Sequence, residues 1–271
     1  MIVYTPGQLR PLLEAVSRSD TVIVGGQAIN LWSEVYARDE EPWRSLRPFT
    51  SRDLDTLGTV TALLECARHT GGRARFPEPG QRTVNTGQLT VLLEGQPVEA
   101  DFLNEVKGLN NQEIRQTARR VLWQGLTLRL LHPLLCVESK TINLMRIQQE
   151  PEERQDHKHL LLALGNAREF LAEQSANPTT HPVLVRWAQR LRSLANDQLG
   201  LEAAQAHGVN YQTAIPAALW RTTPGPLSEF MVAEWDVWGS EVRQKVQDMT
   251  ELEAWLRQLR ERSPGQTSGI D

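Results

Sequence analysis

The sequence predicts an α/β (α+β) domain built on a mixed sheet and followed by an all-helical C-terminal lobe, and three observations carry that prediction. A β-branched run, Thr21-Val-Ile-Val24, ends at the pair Gly25-Gly26, after which Ala28, Leu31, Trp32 and Val35 recur at three- and four-residue steps. Two later segments, Asp53–Leu57 and Pro97–Leu103, alternate acidic or polar with apolar residues, as a strand does when one face meets the core. Beyond Pro133 the strand signals stop and the remaining segments carry helical spacing. A chain of 271 residues, 40% hydrophobic with 8 tryptophans, can fill two lobes when domains run to about 100–200 residues. The boundaries predicted are an α/β domain over 1–132, a helical domain over 133–262 and a flexible tail over 263–271.

Taken in order, Thr5–Ser17 reads as a helix through Leu9, Leu12, Leu13 and Val16, and the first strand and second helix follow on either side of the glycine pair. Polar residues and prolines from Arg38 to Pro48 predict a loop. Val60–His69 reads as a helix closed by Gly71-Gly72. Gln88–Glu94 and Pro97–Leu103 predict an antiparallel hairpin turning at Gly95-Gln96, and Ala118–Leu130 a smaller one around Gln124-Gly125. Helices are predicted over Leu134–Gln148, Glu152–Gln174, His181–Gln198 and Val232–Arg262. Trp187, Trp220, Trp235, Trp238 and Trp255 fall among them and are expected to be core.

The charge balance excludes several classes. With 29 basic and 33 acidic residues the net charge is -4, so the surface as a whole is no coat for nucleic-acid phosphates. No stretch approaches the ~20 apolar residues that span a bilayer, and the first residues carry no basic leader, so a cytoplasmic protein without a membrane partner is expected. Cys66 and Cys136 lie in apolar runs, where a small buried thiol is the usual occupant.

The chemistry gathers at a few positions. Side chains alternate along a strand, so Asp53 and Asp55 project from one face with α-carbons about 6.5–7 Å apart. Asp101, in Val98-Glu-Ala-Asp-Phe-Leu103, can bring a third carboxylate from a neighbouring strand, which makes an all-oxygen set for one or two Mg²⁺ or Mn²⁺ ions. Gly25 and Gly26 end a strand and open a helix, where main-chain N–H groups attract an anion such as the phosphates of an NTP. Lys140, Asn143 and Arg146 recur every third residue on a predicted helix, and Lys140 is the best triphosphate contact among them. Asp156-His157-Lys158-His159 is set aside as a metal site, because one- and two-residue spacings do not converge on a helix. Arg115, Arg119 and Arg120 form a local basic cluster that either receives a polynucleotide or salt-bridges to the acidic excess, the second reading being favoured.

A glycine pair after a strand, Asp-apolar-Asp on the next strand and a third Asp in a later apolar strand, here VGGQA, SRDLD and EADFL, resembles the nucleotidyltransferases of the DNA polymerase β type. FTSRDLDTLG, VEADFLNEVKGL and LHPLLCVESKTINLMRI are similar to the prokaryotic branch that includes abortive-infection and toxin–antitoxin nucleotidyltransferases. The resemblance spans about the first 160 residues. It implies a nucleotidyltransferase fold in which Asp53 and Asp55 bind both metals, Asp101 binds the catalytic metal and acts as or beside the general base, and Gly25 and Gly26 hold the triphosphate. Gln27 stands where the family often places a serine that touches phosphate. The segment between Gly26 and Asp53 is longer than in the smallest members, and its loop, Arg38–Phe49, reads as a lid, a substrate contact or a surface insertion.

Three functions follow as expectations. The first is metal-dependent transfer of NMP from an NTP to a hydroxyl on a nucleic acid or a protein, with RNA or protein as the acceptor partner, in a toxin–antitoxin or phage-defence setting with a cognate toxin or antitoxin partner. The second is a catalytically inactive relative that binds a partner protein, which Gln27 favours. The third is transfer to a cationic small molecule of the aminoglycoside type, with Glu40, Glu41 or Glu99 supplying an acidic cleft.

Overall fold

Pro6 and Gly7 hold the first residues in turns, so helix α1 (Arg10–Ser17) starts later than its apolar spacing predicted, with Pro11 in its first turn. These positions belong to a computed structural model that describes residues 2–39, 41, 43–78, 80, 83–147 and 155–262, without the side chains of 259–262. The expected tail over 263–271, the last residue of the helix predicted over 134–148 and the first three of that predicted over 152–174 lie outside the described residues. Strand β1 (Val22–Ile23) leads directly into α2 (Gly25–Tyr36). The segment after α2 carries a short helix, α3 (Trp43–Leu46), anchored by Trp43, which is fully buried and donates its indole N–H to Asn166 Oδ1 at 3.2 Å.

Strand β2 (Leu54–Leu57) follows, then α4 (Val60–Thr70), whose first turn is capped by the Thr59 hydroxyl and whose end is set by Gly71 at a φ of 65°. A three-residue strand absent from the expectations, β3 (Arg73–Arg75), precedes β4 (Asn85–Leu93) and β5 (Gln96–Leu103). Leu93 pairs with Gln96, so the hairpin turns at Glu94-Gly95, one residue earlier than predicted. Both turn residues have positive φ, 49° and 80°, the primed-turn geometry that matches strand twist. Gln124-Gly125 turns in the same way, at 45° and 83°, between β6 (Arg119–Trp123) and β7 (Leu126–Leu130), after the short helix α5 (Asn111–Thr117).

The seven strands make one mixed sheet in the order β3-β4-β5-β2-β1-β7-β6. β1 runs antiparallel to β2 and parallel to β7, and β2 runs parallel to β5. Helices α6 (Pro133–Arg146) and α7 (Asp156–Gln174) pack on each other and on α2. Asn166 of α7 ties that helix to α2: it donates to the Ile29 carbonyl at 3.1 Å and to Ser33 Oγ at 3.0 Å. Val35, predicted on the buried face of α2, is 43% exposed. Among the described residues no helix is long and apolar enough to cross a membrane.

The chain divides by packing into one unit of Met1–Ala176 with Thr213–Pro216 and another of Asn177–Gln212 with Ala217–Asp271. Strands do end before Pro133, but α6 and α7 bury their apolar sides against α2 and so belong to the first unit. The second unit comprises α8 (His181–Asn196), α9 (Gln198–His207), α10 (Ala217–Thr222), α11 (Pro226–Phe230), a π-helical turn at Met231–Trp235 and α12 (Asp236–Arg262). Arg192 of α8 bridges Glu234 and Glu241, each at 2.9 Å. Trp220 and Trp238 are buried as predicted, whereas Trp255 on the second half of α12 is 55% exposed.

Candidate metal and phosphate site

Residues directly opposite each other in a sheet share a face, and the parallel pairing of β2 with β5 sets Asp55 opposite Asp101. Asp53, two residues before Asp55, joins them: one oxygen of each carboxylate lies within 4.8 Å of the other two. The donors are oxygens only, the set that suits a hard divalent cation rather than zinc or copper.

The glycine pair makes room for this cluster. An ideal Cβ on Gly25 would stand 2.0 Å from Asp55 Oδ2, and the residue has a φ of 63°. On Gly26 a Cβ would meet Ser51 Oγ at 2.5 Å and the His159 ring at 2.8 Å. The absent side chains therefore allow a carboxylate, a hydroxyl and an imidazole to lie against the first turn of α2. No side chain caps that turn, so its leading N–H groups are left for solvent or an anion.

Burial pushes the Asp55 carboxyl up to about 7, with Asp53 adding repulsion, Lys140 drawing it back, Asp101 raising it and Arg52 lowering it. Asp101 is also raised, first by burial and further by repulsion from Asp53 and Glu99, against a hydrogen bond from Gln88 Nε2 to its Oδ1 at 3.0 Å. Three carboxylates this close repel one another when no cation is bound, so the cluster is best suited to a state that holds metal.

Helices α6 and α7 supply the opposite wall of a cleft of about 170 Å³, lined by Gly26, Ser51, Asp53, Asp55, Lys140 and Asp156 among others. Lys140 Nζ donates to Asp156 Oδ1 at 2.8 Å, with each side chain 8% exposed. His159 approaches the Thr50 carbonyl through Nε2 at 2.9 Å; a carbonyl only accepts, so that nitrogen carries the proton. Burial and the nearby Lys140 push this imidazole down to about 3, which keeps it neutral at ordinary pH. Gln155 also lines the cleft, and its buried Oε1 has no protein partner among the described residues.

Most sequence-predicted positions thus meet in one place: Asp53, Asp55, Asp101, Gly25, Gly26, Lys140 and Asn143. Gln27 does not join them through its side chain, which is 1% exposed and donates to the Tyr4 carbonyl at 3.0 Å. Arg146 is exposed and does not line the cleft. In the basic cluster, Arg119 sits 5.2 Å from the Phe170 ring centroid. Glu41 pairs with Arg44 at 3.2 Å and Glu99 accepts from Gln88 at 3.2 Å, while Glu40 lies outside the described residues. Ser51 was not singled out from the sequence, and Asp156 and His159, set aside there as a metal site, line the cleft. The signal for the last two was their three-residue separation on a helix, hidden by the His157-Lys158 pair between them.

No protein-family model and no curated protein matches the chain. Among solved structures it is similar to an antigenic nucleotidyltransferase-like protein from Paracoccidioides brasiliensis, at 16% identity over 60% of this chain and 78% of that one, with a TM-score of 0.42. It is similar also to JHP933 from Helicobacter pylori, at 13% identity over 93% and 96% of the two chains, with a TM-score of 0.39. Likeness at this level carries neither activity nor substrate from one protein to another.

Proposed function

We propose that this chain is a metal-dependent nucleotidyltransferase that moves NMP from an NTP to an acceptor hydroxyl and releases pyrophosphate. The observation that carries this reading is the meeting of three carboxylates beside an uncapped helix start, with Lys140 across the cleft. An all-acid cluster alone would bind a cation; an anion site next to it adds a place for the phosphates that such a cation neutralises.

In this reading Asp53, Asp55 and Asp101 would hold Mg²⁺ or Mn²⁺, which would supply charge neutralisation to the phosphates and the attacking oxygen. The first turn of α2 and Lys140 orient the triphosphate. Asp101 lies at the far side of the cluster from that turn and takes the proton of the acceptor hydroxyl as its oxygen bonds to the α-phosphorus. The bond from that phosphorus to the pyrophosphate oxygen breaks in line. The Lys140–Asp156 pair keeps the ammonium aimed into the cleft, and neutral His159 packs beneath Gly26.

The Gln27 side chain points to Tyr4, so in this reading the triphosphate meets only main-chain N–H groups at the helix start, without a side-chain hydroxyl. The toxin–antitoxin or phage-defence setting rests on sequence resemblance alone and is part of the proposal. Co-expression with the product of the neighbouring reading frame tests it: growth arrest by this chain, relieved by that product, is expected. For the chemistry, incubation with each labelled NTP and Mg²⁺ plus total RNA and protein should transfer label in the parent and not in Asp53→Asn. Equal behaviour of parent and variant, with no label moved from any NTP, would leave the proposal without support.

A further inference from the structure

Two arginines at the edge of the sheet have no part in the chemistry above. β3 pairs with β4 so that Arg75 stands opposite Gln88, Gln88 stands opposite Asp101, and Asp101 stands opposite Asp55. Directly paired residues share a face, so Arg75, Gln88, Asp101 and Asp55 form one row across four strands. Arg73, two residues before Arg75, is on that face too, opposite Thr90. Both arginines are exposed, and neither makes an ion pair or side-chain hydrogen bond among the described residues. Beside them a cavity of about 620 Å³ is lined by Arg75, Phe76, Glu78, Thr83, Asn85 and Gln88, among others. Phe76 is 45% exposed there.

The order of the strands gives this cavity a direction relative to the reaction. Gly25 and Gly26 follow β1, on one side of the acids, while β4 and β3 lie on the other. In-line transfer places the attacking and leaving oxygens on opposite sides of the phosphorus. With the pyrophosphate at the start of α2, the attacking hydroxyl arrives from the β4–β3 side and passes Gln88 to reach Asp101.

We propose that the sheet edge carrying Arg73 and Arg75, with Phe76 lining the adjoining cavity, is the acceptor site, and that the acceptor is the 3′ end of a single-stranded RNA. This inference rests on the nucleotidyl-transfer reading. Guanidinium groups without carboxylate partners bind phosphate, and an exposed aromatic ring beside them gives a base a surface to stack on. Asn85 and Thr83 offer amide and hydroxyl groups to ribose. A protein acceptor would bring a serine, threonine or tyrosine hydroxyl but no repeating anion for the arginines. The arginines are about two strand spacings, roughly 10 Å, from Asp101, which places their phosphate contacts upstream of the reacting hydroxyl.

The test compares the parent with Arg73→Gln/Arg75→Gln and with Arg73→Lys/Arg75→Lys. The probe is a 5′-labelled single-stranded RNA of about ten nucleotides, with a free or a blocked 3′ hydroxyl. Fluorescence anisotropy over a salt series should show RNA affinity at least about tenfold weaker in the glutamine variant. The slope of log K against log salt should be smaller by about 1.4, for two phosphate contacts on a single strand. The lysine variant keeps most of the affinity, and the parent adds label from NTP and Mg²⁺ to the free end alone. Stabilisation of the protein by NTP with Mg²⁺ is measured in parallel and should be the same in parent and glutamine variant. Equal RNA affinity in both overturns the inference and leaves the transfer reading intact, as does label entering protein and never RNA. If the parent is neither stabilised by NTP with Mg²⁺ nor able to move label, the transfer reading fails and the acceptor site with it.

Discussion

Replacing Asp55 by Asn should stabilise the metal-free protein and destabilise it relative to the parent once metal is added. The Asp55 carboxyl is held near about 7 against an ordinary value of 3.8, chiefly by burial and by the neighbouring Asp53. A folded-state value raised above the unfolded one means the folded protein binds this proton more tightly. The resulting penalty is therefore absent below about pH 4, grows as pH rises, and is complete above about pH 7. A gap of about three units sets a ceiling of about 4 kcal/mol. Asp53 and Asp55 line the cleft and share their repulsion with Asp101, so about 1–3 kcal/mol is expected. For a unit of this size that is a rise in Tm of about 3–10 °C. Asn keeps the shape beside Gly25 and removes the charge, so the gain should appear near pH 8 with chelator and shrink towards pH 5. His159 titrates with the opposite sign but is present in both proteins and cancels in the difference. Mg²⁺ stabilises whichever protein binds it more tightly, so its addition should reverse the order. Thermal unfolding of both proteins at several pH values, with chelator and with Mg²⁺, measures all of this. A variant no more stable than the parent at pH 8 without metal, or a difference that does not change with pH, would refute the reasoning.

Lys140→Met should cost about 3 kcal/mol by leaving Asp156 buried without its ammonium, and Lys140→Met/Asp156→Leu should regain part of that loss while still failing to bind NTP; denaturant unfolding and nucleotide titration check the two halves. Gly25→Ala places a methyl 2.0 Å from Asp55 Oδ2 at a φ of 63°, so a loss of about 2–3 kcal/mol is expected, together with loss of the Mg²⁺-dependent rise in Tm. His159 is pushed down to about 3, so its contribution is complete above about pH 6.5 and is lost as pH falls towards 3; His159→Gln should therefore lose less stability than the parent between about pH 6 and pH 4 in an acid titration followed by circular dichroism. Asp101→Asn should lower the rate of NMP transfer by about 100- to 10,000-fold with little change in KM for NTP, and an unchanged rate would remove Asp101 as the base.

Local pattern alone determined the elements that carry the site. Alternation placed Asp53 and Asp55 on one side of a strand, the glycine pair marked the step from β1 into α2, and three-residue spacing put Lys140 and Asn143 on one side of α6, because each signal is contained within a turn or two of chain. What the tertiary structure decided lies between elements far apart in sequence. The β2–β5 pairing joins Asp55 to Asp101, the α6–α7 packing joins Lys140 to Asp156, and the three-residue edge strand β3 brings Arg75 into the row that ends at the acids. A strand of three residues has too little alternation to be seen by period. Gln27 marks the same limit from the other side: its position at the helix start was legible, but its direction was set by the Tyr4 carbonyl, which reaches it only after the chain has folded.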